Sequence, residues 1–385
     1  MKSEWKETNI SDVADLTVGF VGSMTAEYRN SGVKFIRSMN VHPFKIDLNE
    51  IKYISQEFHE KIAKSQLKEN DVVIVRTGQP GASAVIPEGI GPLNCSDLVI
   101  IHPDQSKIDP LFLSSYINLS SGVINSNLVG AVQQHFNVGS AKKMIIRMPD
   151  LITQKKISGI IKNINDKIET NRRINDNLQE QAQAIYQHMI LENADDSWTP
   201  GALSDIAVIT MGQSPKGESY NEEGNGTVFF QGRAEFGFRF PTRRLYTTDP
   251  KRMARANDSL MSVRAPVGDM NVAYEDCCIG RGLGAIRSDD GHQSFILYTM
   301  LALRERLNVF NGEGTVFGSI NRDALNSMPV NIPPKEIMDQ FENIVAPIDA
   351  TIRNNYDEIC RLQSMRDSLL PRLMSGEIDV SSLAV

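Results

Sequence analysis

Residues 157–189 read ISGIIKNINDKIETNRRINDNLQEQAQAIYQHM, and this stretch decides the fold. Alternating steps of four and three pick out Ile157, Ile161, Ile164, Ile168, Asn171, Asn175, Leu178, Ala182, Ile185 and Met189. That spacing is the a/d seam of a helix that packs on a partner helix. A helix from about 153 to 193 would be about 60 Å long at 1.5 Å per residue, too long for a core element of one ordinary domain. The partner lies in the same chain. Shifted by 184 residues, the seam reads Phe341, Val345, Ile348, Ile352, Asn355, Ile359, Leu362, Arg366, Leu369 and Leu373. Pro347 interrupts this second pattern; it removes a backbone donor and clashes one turn back, which predicts a kink or a late start there. Gly376 predicts the helix end, because glycine suits the left-handed cap.

Outward from the helices, the whole chain is a repeat. The same offset sets Gly130, Val132, Asn137, Met144 and Pro149 on Gly314, Val316, Asn321, Met328 and Pro333. An offset of 193 sets Trp5, Ser11, Asp12, Ala14 and Gly19 on Trp198, Ser204, Asp205, Ala207 and Gly212. Between these frames the halves diverge, yet Asn70–Arg76 running to Gly81 resembles Asn257–Arg264 running to Gly268. Similar frames around dissimilar interiors suggest one scaffold presenting two different binding surfaces; drift after plain duplication accounts for the repeat but not for where the divergence concentrates. The expected organisation is a globular recognition domain over 1–150, a central helix over 151–195, a second recognition domain over 196–334, a distal helix over 335–376 and a tail over 377–385. If a pseudo-two-fold axis crosses the helix pair, the helices run antiparallel, and Asn171 meets Asn355 at the centre. A buried polar pair at a seam sets register; the other reading is that both amides are solvated at a splayed crossing.

The globular halves carry short β-rich runs, such as Val72–Val75, Leu98–Ile101, Val228–Phe230 and Asn271–Tyr274, between Gly, Pro, Asn and Asp. Helical stretches are fewer, such as Pro110–Ser120 and Gln293–Arg306, so each half reads as mixed α/β. Strand order does not follow from the sequence. Composition is that of a globular protein, and no apolar run reaches the roughly 20 residues of a membrane span. The N-terminus lacks the apolar stretch of a secretory signal, so no membrane is expected and the location is cytoplasmic. Cys95, Cys277, Cys278 and Cys360 form no CxxC pair and the histidines are scattered, which points to reduced thiols and no metal site.

A net charge of −7 argues against a nucleic-acid binder, but the charge is unevenly spread. Between Val228 and Arg264 eight cations, seven of them Arg, face three acids, with Phe residues interleaved. Arg forks onto guanine edges and phosphates, which makes Arg233, Arg239, Arg243, Arg244 and Arg264 candidate DNA contacts, with Gln213 and Gln231 beside them. A solvated basic face over a packed aromatic strand is the competing reading of this segment. Residues 29–76 hold nine cations against six acids, and the candidates in the first half are Arg37, Arg76, Gln79, Gln133, Gln134 and His135, since Gln pairs bidentately with adenine. From Lys335 to Val385 nine acids face five bases, which suits protein docking better than phosphate binding. Gly280-Arg281-Gly282-Leu283-Gly284 lacks the spacing of a nucleotide-binding loop and reads as a tight strand turn. No methyltransferase tetrapeptide or nuclease constellation stands out.

The doubled frame, the ending SLLPRLMSGEI at 368–378, MPVNIPP at 328–334 and LMSVRAPVGD at 260–269 resemble specificity subunits of type I restriction-modification systems. The resemblance implies two target-recognition domains, each reading half of a bipartite site in double-stranded DNA, joined by a long antiparallel two-helix coiled coil that acts as a ruler. It implies that two modification subunits, which carry S-adenosylmethionine and methylate adenine, dock on the helices. Restriction subunits, the translocase and endonuclease that use ATP and Mg, would then join. The chain itself would hold no cofactor, no metal and no catalytic residue. A structural coiled-coil adaptor with two protein-binding heads is the alternative; it accounts for the acidic helix but not for the Arg-rich stretch.

Overall fold

The computed structural model describes residues 5–122, 137–195, 198–312 and 318–383. Two units emerge, residues 1–172 with 357–385 and residues 173–356, so each long helix contributes to both. The helices are Leu151–Tyr186, which continues as a π-helical turn Gln187–Glu192, and Lys335–Met374.

In the first unit, the strand Val72–Val75 is buried on both faces, the mark of a strand covered from two sides. Val72 and Ile74 pack with Phe112, Leu113, Ile157, Ile161, Leu370 and Leu373. Val73 and Val75, on the opposite face by the period-two rule, pack with Ile36, Leu93 and Ile100. The strand lies in an antiparallel sheet ordered Ser83–Val85, Val72–Val75, Leu98–Pro103, Ala14–Val18. A five-stranded mixed sheet runs Tyr28–Arg29, Lys52–Ile54, Val33–Ile36, Leu93–Cys95, Gln66–Leu67, its third and fourth strands parallel. Helix Pro110–Ser120 starts where the sequence says it should, because Asp109 accepts the Phe112 amide and Pro110 fills the first turn.

The second unit repeats this order strand for strand. Its four-stranded sheet runs Met270–Val272, Ser259–Ser262, Leu283–Ser288, Ala207–Met211. Its five-stranded sheet runs Tyr220–Asn221, Leu245–Thr247, Thr227–Phe230, Cys277–Ile279, Met253–Ala254, again with the third and fourth strands parallel. The likeness extends to single bonds. Ile10 N donates to Met144 O and Leu203 N to Met328 O, which are the two pairs that the offsets of 193 and 184 superpose. Asn137 and Asn321 each cap a short helix through the side chain. Asp71 holds His102 at 2.7 Å, and Asp258 holds Arg287 at 2.7 Å.

Within each unit the two helix segments run antiparallel. In the first unit Ile157 and Ile161 share a core with Leu370 and Leu373, and Ile164 and Ile168 pack with Ile359. In the second unit Ala182, Tyr186 and Ile190 share a core with Phe341 and Val345. Tyr186 and Ile190 occupy the inner face, with the seam residues Ile185 and Met189 only partly buried, because a 3.6-residue helix drifts away from a 3.5-residue pattern.

Asn171 and Asn355, expected to face each other, each find another partner within their own unit. Asn171 donates to Glu358 at 2.7 Å, and Asn355 donates to Asn175 at 2.8 Å. The pairing is offset by about one helical turn from the symmetric register. In this offset Asn175 also donates to Ile352 O, and Lys167 reaches Glu358, so every amide at the seam has a partner. Pro347 does not break the second helix, which is continuous from Lys335 to Met374. Pro347 is exposed, so the carbonyl one turn back, left without its donor, faces water. The polar seam residue Arg366 is accommodated by Asn165 at 3.1 Å and by the Phe44 ring beneath its guanidinium.

Gly376 ends that helix in the left-handed region, φ 74°, and the amides of Glu377 and Ile378 return to Arg372 O. A Cβ there would lie 2.8 Å from Trp5 Nε1. Gly376→Ala should therefore lower stability by about 1–2 kcal/mol from the left-handed backbone alone, with more from the Trp5 clash. Gly159→Ala, in open space within the first long helix, should raise it by about 0.5–1 kcal/mol. Denaturant melts followed by circular dichroism read both signs.

Candidate nucleic-acid interface

In the second unit, a cluster of glycines brings four segments together. A Cβ on Gly212 would lie 2.1 Å from Gly280 O, one on Gly280 2.9 Å from Gln231 Cα, and one on Gly282 2.7 Å from Gln231 O. Only glycine allows such backbone approach. Gly212 N donates to Leu283 O, Gln213 N to Ile279 O, Gly280 N to Phe230 O and Val263 N to Gly282 O. These bonds place Gln213, Gln231, Arg264 and Arg281 along one rim, and all four side chains are exposed. The tight turn read at Gly280–Gly284 is this junction, and it leaves Arg281 exposed. The sequence reading passed over Arg281 as part of the turn; the available signal was a lone cation flanked by glycines.

Arg233 follows on the same segment and pairs with Asp269, which also holds Arg304 at 3.2 Å. These residues line a cleft with Gln179, Gln183 and the exposed Phe238. Arg243 pairs with Glu275, and Arg244 pairs with Glu235 at 2.6 Å and Glu222 at 3.4 Å. Those two arginines are exposed but largely neutralised.

Arg239 differs from the other candidates. Its side chain is 5% exposed and lies 3.2 Å from Asp349 on the second long helix, with Tyr298 Oη at 2.9 Å. Burial pushes the Asp349 carboxyl above its usual range, and the Arg239 guanidinium pulls it back. Burial likewise raises the Tyr298 phenol. The Arg239 side chain thus ties the sheet to the helix from inside, and does not stand on the rim. Nearby, burial lowers the His292 pKa, but the carboxylates of Asp339 and Asp290 outweigh it and leave the imidazole above its ordinary value. Glu342 of the same helix caps Gln293–Ala302 through the amides of Ser294 and Phe295.

The first unit builds the corresponding rim from other chemistry. Gly19 supplies the close approach, at 2.8 Å from Cys95 Sγ for a Cβ. Phe20 N donates to Cys95 O and Ser96 N to Ile36 O, which puts Arg37 beside the junction. Arg37 is half-buried and donates to Glu50 O at 3.2 Å. Arg76 pairs with Asp97 at 2.9 Å, and Thr77 Oγ1 donates to the other oxygen at 2.9 Å. Gln79 is exposed in the turn that follows. Gln133, Gln134 and His135 lie outside the described residues. The bonds of the two units also align Arg76 with Val263 rather than with Arg264, because Gly81 N returns to Val75 O as Gly268 N returns to Ser262 O.

The rims hold polar and cationic groups suited to binding. Among the described residues, no group of three His, Cys, Asp or Glu is placed to hold a metal ion. Cys95, Cys277 and Cys278 are buried and free; burial pushes the Cys277 thiol up to about 12, which leaves it unreactive. No helix among the described residues is long and apolar enough to cross a membrane.

This is a duplicated α/β protein, with unlike rims on like scaffolds. The family model of the type I restriction modification DNA specificity domain matches residues 2–180 and 195–361, and the chain belongs to that family. It is 27% identical to a chain assigned as the MjaX type I restriction enzyme specificity subunit of Methanocaldococcus jannaschii, over 98% of this chain and 95% of that one. It is 22% identical to the HindI type I restriction enzyme specificity subunit of Haemophilus influenzae, over 98% and 100%. The crystal structure of a type I restriction-modification S subunit from M. genitalium covers 97% of this chain and 96% of its own, at 15% identity and a TM-score of 0.56, a likeness of fold.

Arg239→Ala should destabilise the second unit by about 1–3 kcal/mol, because it takes the cation from a half-buried carboxylate that keeps its Tyr298 bond. The same change should leave any DNA sequence preference intact. A thermal melt together with a binding-site selection separates the two effects; a changed preference at unchanged stability would return Arg239 to the interface.

Proposed function

We propose that this chain is the DNA-reading subunit of a type I restriction-modification complex, and that each unit reads one half of a bipartite site in double-stranded DNA. The observation that carries this reading is the identity of the two scaffolds down to single hydrogen bonds, set against rims that share almost no side chain. Selection for two different targets keeps the frame and varies the rim. The long helices supply the docking faces for two modification subunits and the spacer between half-sites. Restriction subunits complete the complex. The chain contributes specificity and no chemistry; S-adenosylmethionine, ATP and Mg act in the partners, in the cytoplasm. Its acidity is compatible with DNA binding because the modification subunits close around the duplex and add phosphate contacts.

The complex of this chain with its modification subunits should bind its duplex with a steep salt dependence, losing about 10³-fold or more between 50 and 200 mM salt if some six phosphates are neutralised. Mapping methylated adenines in cells that carry both genes should give a bipartite site. Exchanging residues 199–332 for those of a relative should change one half of it only. Salt-independent binding, or a site altered in both halves, contradicts the proposal.

A further inference from the structure

The end of the central ladder differs between the two units in a way that bears on what each rim can bind. In the first unit the ladder pairs Leu98 with Val75; the next opposed residues, Arg76 and Asp97, form an ion pair at 2.9 Å. In the second unit the ladder ends where Ser262 faces Leu283, a pair closed by the bond from Val263 N to Gly282 O at 2.9 Å. Beyond it the strands part: Gly282 N turns to Gln231 O and Leu283 N to Gly280 O, which leaves Arg281 in a tight turn, while Ala265 N turns to Gly318 O beside Arg264. Both side chains are exposed, and neither has a polar partner among the described residues. The glycines at 280 and 282 hold the backbone in this arrangement through contacts that any Cβ would break. Two unpaired cations held at one junction by the scaffold are matched to an electron-rich ligand.

We infer that Arg264 and Arg281 read guanine in the half-site of the second unit; this rests on the DNA-reading function proposed above. A guanidinium donates two parallel bonds to guanine O6 and N7, the pattern no other base edge offers in the major groove. The neighbours favour a base over a phosphate. Gln213 and Gln231 flank the pair and add no charge for a phosphate, but they carry the donor and acceptor that base edges require. The first unit makes the internal contrast: its cation is already paired with Asp97, so the same reading does not extend to its half-site.

The test uses the full complex with its modification subunits, and compares methylated sites in cells carrying the wild-type chain, Arg281→Ala, Arg281→Lys and Arg264→Ala. The exchange of residues 199–332 identifies the half-site of the second unit. That half-site should hold a fixed guanine, and Arg281→Ala should relax it roughly ten- to hundredfold, with the other half unchanged. Arg281→Lys should relax it too, because lysine keeps the charge and loses the fork. Melting curves should match wild type, since the side chain is exposed and has no polar partner among the described residues. An unchanged site with uniformly weaker binding and a salt slope lower by about one marks a phosphate contact, and overturns the inference while the DNA-reading function stands. Relaxation at a base other than guanine also overturns it. Absence of any bipartite methylated site with the wild-type chain overturns both.

Discussion

A strand buried on both faces imposes the architecture of each unit. Val72–Val75 presents no polar side chain, so one face needs a second sheet and the other needs helices. The long helices provide that second cover: Ile157, Ile161, Leu370 and Leu373 close the face of Val72 and Ile74. Met261 lies in the corresponding core with Tyr186, Phe341 and Val345. A four-stranded sheet and its share of the helix pair are therefore one folding core. That explains why the division into units falls within the helices, after Arg172 and after Tyr356, and not at the ends of the globular segments.

The rims lie away from these cores, and their chemistry is free to diverge. Tight glycine contacts at Gly212, Gly280 and Gly282 use backbone alone to hold the second rim, so the side chains that project from it need not contribute to folding. In the first unit the rim is partly self-satisfied, through Arg76, Thr77 and Asp97. In the second, cations remain uncompensated at the ladder end. Two heads of one scaffold thus offer different electrostatic faces, consistent with separate half-site preferences and with a low overall basicity.

Much of this frame was legible in the sequence. The repeat offsets picked out residue pairs that carry equivalent hydrogen bonds, and the helical stretch Pro110–Ser120 was placed to the residue. Gly376 marked the helix end. What was not legible depends on partners distant in the chain. A heptad seam gives the contact face but not the axial offset, so the asparagines were paired one turn out of register. Arg239 belonged to an Arg-rich run, and only its meeting with Asp349 and Tyr298 removes it from the rim. Pro347 counted against a continuous helix, yet a carbonyl facing water tolerates a missing donor. Arg281 was hidden by its glycines, whose packing role appears only when Gln231 and Gly212 are brought against them.

The central claim is that two unlike rims each grip a separate part of one duplex. Footprinting of guanine N7 and backbone on the methylating complex, bound to its own site, tests it most directly. The account predicts two tracts protected at guanine N7, divided by a stretch left open at N7, with one of them in the half-site of the second unit. A single continuous tract, or a footprint unchanged when the chain is omitted from the complex, would contradict it.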